Sequence, residues 1–185
     1  EGHLNVLNTK ATGTAEAPVE IALVLLTHRH GDHAGGALRF RQITGAPVRA
    51  VDSHYCYGAE PLQPGEVIRI EGLTPTIEVV GTPGHTADSV CFFIHSQGGE
   101  DHSDVEAIIT GDTIAGRHTT MISETDGDLG AYLDTLAMLR DRGENVPMLP
   151  GHGPNLESTA EFANKYIDRR ELRLKQVREA LDELG

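Results

Sequence analysis

Three histidines and one aspartate occur within six consecutive residues of this chain, in the segment His28-Arg29-His30-Gly31-Asp32-His33, which has the pattern HxHxDH. Imidazole and carboxylate groups in one cluster suit zinc, iron or manganese. The segment directly follows an apolar run at residues 21–26 (IALVLL), so a tight turn at a strand end can direct alternate side chains toward one point. The alternative is a solvent-exposed polar loop, which the density of ligand-type residues disfavours.

Three more ligand-type residues follow predicted strands, each on a turn that contains glycine. His85 lies in TPGHT, Asp112 lies in TGDT and His152 lies in PGHGP. Glycine permits the turn and lets another group approach the backbone closely. Any one of these residues alone is more often a cap or a turn residue. Their repetition at four places in one chain predicts a metal site.

The elements that must position these motifs follow from apolar periodicity and turn residues. Residues 34–44 have helical spacing and end before Gly45, and a helix capped by Asp126 or Asp128 runs to about Arg142. A last helix begins near Glu157. Strands are predicted at residues 21–26, 48–51, 67–70, 77–80, 89–95, 105–110 and 146–149, the third and fourth forming a hairpin. This order predicts one layered α/β domain over residues 1–185.

The composition excludes several classes of protein. With 185 residues, 38% of them hydrophobic, the chain has a globular composition and can bury a core without disulfides. No apolar run reaches the roughly 20 residues of a membrane helix, so no membrane partner is expected. Two cysteines give no disulfide scaffold, and we expect a cytoplasmic protein, or one of an organelle matrix if a targeting segment has been removed. The net charge of −13 disfavours broad docking on a phosphate backbone.

The motifs HxHxDH, TPGH, TGDT and PGHGP together resemble the metallo-beta-lactamase-fold superfamily of hydrolases. The resemblance implies an αββα sandwich with two divalent metal ions, zinc being expected and manganese or iron possible. It implies His28, His30 and His85 on one metal, Asp32, His33 and His152 on the other, and Asp112 bridging both. Two such ions can hold a hydroxide between them at neutral pH. Asp32 is the predicted catalytic residue, orienting that nucleophile and accepting its proton.

The segment GDTIAGRHTT at residues 111–120, with PGHGP, is similar to the subgroup containing beta-lactamase-like protein 2, which is related to glyoxalase II. This implies a small-molecule substrate, a thioester or small ester. A single-strand endoribonuclease on the same metals, a mononuclear iron enzyme of the persulfide dioxygenase kind and a non-catalytic module are the alternatives. Family members usually carry a longer segment before HxHxDH than the 27 residues here. We therefore expect the first N-terminal strands to be absent, and a homo-oligomer is possible.

Other residues receive specific expectations. Arg117 and His118 follow Asp112 on a loop that should overhang the metals, so substrate contact is predicted for both. The histidines outside the motifs are expected at the surface or in turns, and these are His3, His54, His95 and His102. Cys91 is predicted to be a small core residue, and Cys56 is not predicted to act as a catalytic thiol. The apolar stripe of the last helix is expected to pack on the sheet.

Overall fold

This computed structural model describes residues 19–96, 105–117 and 119–184. These residues contain seven strands and four α-helices. The strands are β1 (Val24–Leu25), β2 (Val48–Arg49), β3 (Val67–Ile68), β4 (Thr76–Gly81), β5 (Val90–His95), β6 (Val105–Gly111) and β7 (Met148–Pro150). The helices are α1 (Gly31–Ala34), α2 (Ala37–Thr44), α3 (Leu129–Arg142) and α4 (Thr159–Leu184), and a 3-10 turn covers Ser53–Tyr55.

The strands of the described residues form two sheets. The larger has the order β3-β4-β5-β6-β7, with antiparallel neighbours except for the parallel pair β6 and β7. In the smaller sheet β1 pairs with β2 in parallel. The predicted hairpin is confirmed, since β3 pairs with β4 in antiparallel register.

Successive side chains along each strand of the large sheet point to opposite faces, so the sheet has one apolar core on each face. Val79, Phe92 and Ile109 are register partners, and they belong to a cluster that also contains Leu23 and Leu25 beside the small sheet. The opposite face packs on the last two helices, through Cys91, Phe93, Ile108, Met148, Tyr132, Leu136 and Ala163. A third cluster lies on the outer side of the small sheet, where Ala34 of α1 and Ala37 of α2 pack with Val48 of β2 and Ala50. The layers therefore run helix, sheet, sheet, helix, as the predicted αββα sandwich requires.

Two predicted elements near the first motif differ from the structure. The strand expected at residues 21–26 covers only Val24–Leu25, and both residues are partly exposed rather than buried on both faces. Among the described residues this strand has one neighbour, β2. The helix expected to begin at residue 34 is two helices, and α1 starts at Gly31. Asp32 and His33 thus lie on a helical turn and not in a loop.

The helices on the outer face of the large sheet follow the prediction with one exception. Asp128 is the N-cap of α3, because its Oδ1 accepts a hydrogen bond of 2.6 Å from the Ala131 amide. The first half of α4 packs through Ala163 and Tyr166. The expectation that the whole apolar stripe packs on the sheet is wrong: its last members are 49%, 63% and 83% exposed, at Val177, Leu181 and Leu184.

The prediction that His95 is a surface or turn residue is wrong. Its side chain is 1% exposed, and its Nε2 lies 3.1 Å from Oε2 of Glu78. The same carboxylate oxygen accepts a 2.6 Å hydrogen bond from Arg142, whose guanidinium lies over the Phe93 ring. The buried position of His95 depends on partners from β4 and α3, which local sequence does not reveal. His54 is exposed as expected, whereas His3, His102 and the predicted absence of N-terminal strands concern residues outside the described part of the chain.

No helix among the described residues is both long enough and apolar enough to cross a membrane.

Candidate metal centre

The HxHxDH segment connects β1 to α1, and its backbone folds into a single helical turn. The amides of His33 and Ala34 donate hydrogen bonds of 2.9 and 2.8 Å to the His30 carbonyl oxygen. This turn separates the four ligand-type side chains into two pairs. His28 and His30 precede the helix, whereas Asp32 and His33 lie within it.

His85 reaches the same place from the turn after β4, which requires glycine at position 84. Gly84 has a φ of +137°, and a Cβ there would lie 2.4 Å from the Tyr132 Cα. The turn therefore lies directly against the first turn of α3. The carbonyl of Gly84 also accepts a 3.0 Å hydrogen bond from the Asp128 amide, which fixes the N-terminus of α3 to this turn.

His28, His30 and His85 form the first group of possible ligands. Nδ1 of His30 lies 3.1 Å from Nε2 of His28 and 3.0 Å from Nε2 of His85. His28 and His85 are buried, and His30 is half-buried. Three imidazole nitrogens that converge at this spacing can hold one metal ion.

Asp32, His33, Asp112 and His152 form the second group. Nε2 of His152 lies 3.0 Å from Oδ2 of Asp32, and Nε2 of His33 lies 3.2 Å from Oδ1 of Asp112. Each of the four residues offers one nitrogen or carboxylate oxygen to the site, and these four atoms all lie within 4.8 Å of one another. Asp32 and His152 are exposed, while His33 and Asp112 are half-buried. Two carboxylates and two imidazoles also make a suitable donor set for a divalent ion.

Asp112 lies between the two groups. Its Oδ2 is 3.9 Å from Nε2 of His85 in the first group and 3.6 Å from Nε2 of His152 in the second. The structure thus brings all seven predicted ligand-type residues to one site, from four separate segments of the chain. A carboxylate in this position can contact ions held by either group.

Two buried atoms of the second group indicate that a cation fits between them. Nε2 of His33 and Oδ1 of Asp112 are both buried, and neither has a hydrogen-bond partner of good geometry among the described residues. Buried polar atoms are normally satisfied, so an unsatisfied nitrogen and oxygen that face each other need an explanation. A divalent ion coordinated by both atoms would supply one.

The electrostatics of the site favour the metal-binding form of His28 and Asp112 and oppose that form at His33, where an arriving cation has to displace a proton. Burial, followed by the repulsion of His33 and His85, lowers the pKa of His28 to about 3, so its ring is neutral. Burial opposes ionisation of Asp112, but the nearby His33 ring outweighs it and lowers the pKa of the carboxyl. The proximity of Asp112 raises the pKa of His33 against the effect of burial. Metal binding requires neutral imidazole and ionised carboxylate.

Two groups that orient the ligands are not evident from the sequence. Nδ1 of His85 lies 2.5 Å from the Met121 carbonyl oxygen, and Nδ1 of His28 lies 3.2 Å from the Thr27 hydroxyl. With Nδ1 protonated toward Met121, His85 directs the lone pair of Nε2 into the site. A backbone carbonyl leaves no mark in the sequence. Thr27 directly precedes His28, and this adjacency is the one feature of the sequence that could have indicated its contact with the ring.

Arg29, within the HxHxDH motif, contacts carboxylates of two other loops. It donates a hydrogen bond to Asp126, and its guanidinium lies 3.9 Å from Asp52. Burial alone would raise the pKa of Asp126, but a Ser123 hydrogen bond and the Arg29 charge outweigh it and lower that pKa. This pair links the first motif to the loop before α3.

A cavity of about 370 Å³ opens over both groups. Its wall includes His30, Asp112 and His152, together with Arg117 and Met121 from the loop that follows β6. Arg117 therefore reaches the cavity as its predicted substrate role requires. His118 lies outside the described residues.

A family model described as the Metallo-beta-lactamase superfamily matches residues 11–152. Among curated proteins, the "Atrochrysone carboxyl ACP thioesterase" of Aspergillus fumigatus is 34% identical over 178 residues, which cover 94% of this chain and 51% of that protein. The "Lactamase-like protein aptB" of Emericella nidulans is 32% identical over 170 residues, or 91% of this chain and 50% of that one. The chain thus spans about half the length of these curated relatives.

Two solved structures share the fold. ETHE1 from Myxococcus xanthus superposes with a TM-score of 0.67 at 23% identity, covering 89% of this chain and 71% of that one. A metallo-beta-lactamase family protein from Thermus thermophilus gives a TM-score of 0.73 at 19% identity, covering 98% of this chain and 69% of that one. At these identities the likeness establishes the fold alone.

Proposed function

The chain belongs to the metallo-beta-lactamase superfamily, and from this premise we propose that it is a binuclear metal-dependent hydrolase acting on a thioester. The observation that carries the proposal is the position of Asp112 between two groups of ligand-type side chains. The first group has three nitrogens and the second has two nitrogens and two carboxylates. A mononuclear site needs only one of these groups.

In the proposed site His28, His30 and His85 would hold one ion, Asp32, His33 and His152 would hold the other, and Asp112 would contact both. The donors are imidazole nitrogens and carboxylate oxygens with no thiolate, which suits zinc and also manganese or iron. When bound, the two ions would supply a hydroxide nucleophile and would stabilise negative charge on the carbonyl oxygen of the substrate.

The residues of the chain then have separate tasks. Asp32 is the proposed catalytic residue. A backbone hydrogen bond and the charge of His33 lower its pKa against the effect of burial, so the carboxylate is ionised and can orient the nucleophile by accepting a hydrogen bond from it. Its Oδ2 can accept the proton that the nucleophile loses. The acyl carbon gains an oxygen, the carbon–sulfur bond breaks and the sulfur leaves as a thiolate. Arg117, at the wall of the cavity, is proposed to contact the substrate.

A thioester is favoured over RNA by two observations. The relative from Aspergillus fumigatus, 34% identical to this chain, is named as an ACP thioesterase. In addition, the net charge of −13 gives little attraction for a long phosphate backbone. A panel of acyl thioesters assayed beside a labelled single-stranded RNA separates the two substrate classes.

The central test replaces Asp112 with alanine and measures metal content and turnover together. We expect about two metal ions per chain in the unaltered protein, and at least a roughly 100-fold loss of affinity and of thioester hydrolysis in Asp112→Ala, since even groups that orient a ligand contribute 10- to 100-fold. Glu106→Ala, at an exposed position of β6, the strand that Asp112 directly follows, is the matched control. Retained turnover in Asp112→Ala would contradict the proposal, and one iron per chain with oxygen consumption would favour the persulfide dioxygenase alternative.

A further inference from the structure

A second, smaller hollow of about 180 Å³ lies beside the metal cavity, between the loop after β6 and the N-terminal half of α4. We call it the basic hollow, and it is lined by Arg117, Lys165 and Arg169 together with the rings of Phe162 and Tyr166. Ala115 and Arg117 also line the metal cavity. The two cavities are therefore adjacent, which is the arrangement that a ligand occupying both would need.

The basic hollow is a local exception on an acidic protein. Its described lining contains three cations and no carboxylate, whereas the chain carries a net charge of −13. Arg117 and Arg169 are exposed, and in the described part of the chain neither has an ion pair with a carboxylate. Lys165 differs, since its Nζ lies 2.5 Å from Oε1 of Glu161 and 4.4 Å from the Phe162 ring centroid. The two guanidinium groups are thus the cations available to an anionic ligand.

The two walls of the hollow are fixed to each other and to the metal site. The buried Tyr166 of α4 donates a 3.0 Å hydrogen bond to the Ala115 carbonyl oxygen. The amide of Gly116 donates a 2.7 Å hydrogen bond to the carbonyl oxygen of His152, one of the ligand-type residues. The backbone segments that carry the two guanidinium groups are therefore hydrogen-bonded to each other and to His152 of the candidate metal centre.

A planar guanidinium binds phosphate oxygens in pairs and is preferred wherever a phosphate must be recognised. The adjoining aromatic rings can contact the aliphatic part of such a ligand. We propose that the basic hollow binds the phosphate of a phosphopantetheine arm, whose sulfur carries the acyl group to the metal centre. This inference rests on the proposed thioesterase function. The phosphopantetheine arm occurs both in coenzyme A and in acyl carrier proteins, and the hollow recognises what they share.

The first test compares benzoyl thioesters of pantetheine and of pantetheine phosphate. We expect the phosphorylated substrate to have the higher kcat/KM, and the ratio between the two to fall about tenfold in Arg169→Ala, which is the effect of one charge-assisted hydrogen bond. Arg117→Ala should lower the same ratio. Arg178→Ala, an exposed arginine further along α4 and outside the lining of the hollow, is the matched control and should leave the ratio unchanged.

The second test measures equilibrium binding of free pantetheine phosphate and free pantetheine by calorimetry, so that it does not depend on turnover. Phosphate-dependent binding that weakens in Arg169→Ala supports the inference even if no thioester is hydrolysed, in which case only the proposed function fails. Equal kcat/KM for the two thioesters and equal binding of the two compounds would overturn the inference while leaving the hydrolase intact.

Two further comparisons identify the source of the phosphate. Benzoyl-coenzyme A and a benzoylated acyl carrier protein are assayed in parallel, and the one with the higher kcat/KM identifies the natural carrier. A labelled single-stranded RNA serves as the competing anion. If the RNA binds, loses affinity in the same two variants and pantetheine phosphate does not bind, the hollow is a nucleic-acid subsite and the inference is wrong.

Discussion

Gly151 lies so close to Asp112 that a Cβ at position 151 would be 2.7 Å from the Asp112 Oδ1 atom. The same Cβ would lie 2.7 Å from Cε1 of His33. The PGHG turn can therefore approach the Asp112 carboxylate only because residue 151 has no side chain. The absence of a side chain at residue 151 thus allows the neighbouring His152 to lie close to the other members of the second group.

This contact predicts that Gly151→Ala weakens metal binding at the second group. Since the methyl group must displace Asp112 or His33, we expect a loss of affinity of about 10- to 100-fold, the effect typical of changes that misplace a ligand. Titration with zinc followed by elemental analysis measures it. Gly31→Ala is the matched control, because a Cβ at that position meets no atom within 4 Å. Equal zinc affinity in both variants would contradict the prediction.

Removing the Thr27 hydroxyl should affect the first group. Thr27→Val preserves the shape of the side chain but removes the oxygen that lies 3.2 Å from Nδ1 of His28. Without this partner the ring of His28 is less firmly oriented, and we expect metal affinity to fall by about 10-fold. Competition with a chromophoric chelator gives the affinity. Thr27→Ser restores the hydroxyl and should restore binding, and failure of this rescue would show that the methyl group matters instead.

The carboxylate of Glu78 is predicted to stabilise the fold without affecting the metal site. It contacts the buried His95 and accepts a hydrogen bond from Arg142. His95 and Thr76 are register partners at the end of the β4–β5 pair opposite to the Gly81 end that leads to His85. Glu78→Gln leaves a partly buried cation poorly compensated, so we expect a loss of about 1–3 kcal/mol in the free energy of unfolding.

Urea denaturation measures that loss, and metal analysis of the same samples should give unchanged content. Glu106→Gln, at an exposed position of β6, is the control and should change the stability by less than about 0.5 kcal/mol. Equal stabilities of the two variants would show that the Glu78 interactions contribute nothing.

The two cysteines should react very differently with alkylating agents. Burial raises the pKa of the Cys91 thiol to about 11, and Cys91 is 0% exposed. The reactive species is the thiolate, so Cys91 stays protonated and unreactive at pH 8 and becomes ionised only as the pH rises toward 11. Cys56 is partly exposed. We expect iodoacetamide at about pH 8, near the ordinary pKa of a thiol, to modify Cys56 alone.

Mass spectrometry of the modified protein identifies the labelled residue. In urea both thiols should react, and Cys56→Ser should abolish labelling of the native protein. Labelling of Cys91 at the rate of Cys56 would show that β5 opens readily.

What the sequence determines about this protein is local. Ligand-type residues beside glycine turns at strand ends, the hairpin of β3 and β4 and the Asp128 cap all follow from short-range patterns, because backbone conformation and side-chain periodicity depend on neighbouring residues. Those patterns identified the seven ligand-type residues and the layered fold. They did not show that the first motif contains a helical turn, because Gly31 begins α1 without a side-chain cap.

What only the tertiary structure decides is which distant groups meet. Asp32 and His152 are 120 residues apart in the chain, and their side chains come within 3.0 Å because parallel pairing of β6 and β7 places the PGHG turn beside Asp112. The Met121 carbonyl at His85, the burial of His95 and the position of Arg169 beside Arg117 depend on the same packing. Each contact joins elements far apart in sequence, so no local pattern encodes it. The relative positions of strand ends and helices are set by the register of the sheet and by the apolar cores between its layers.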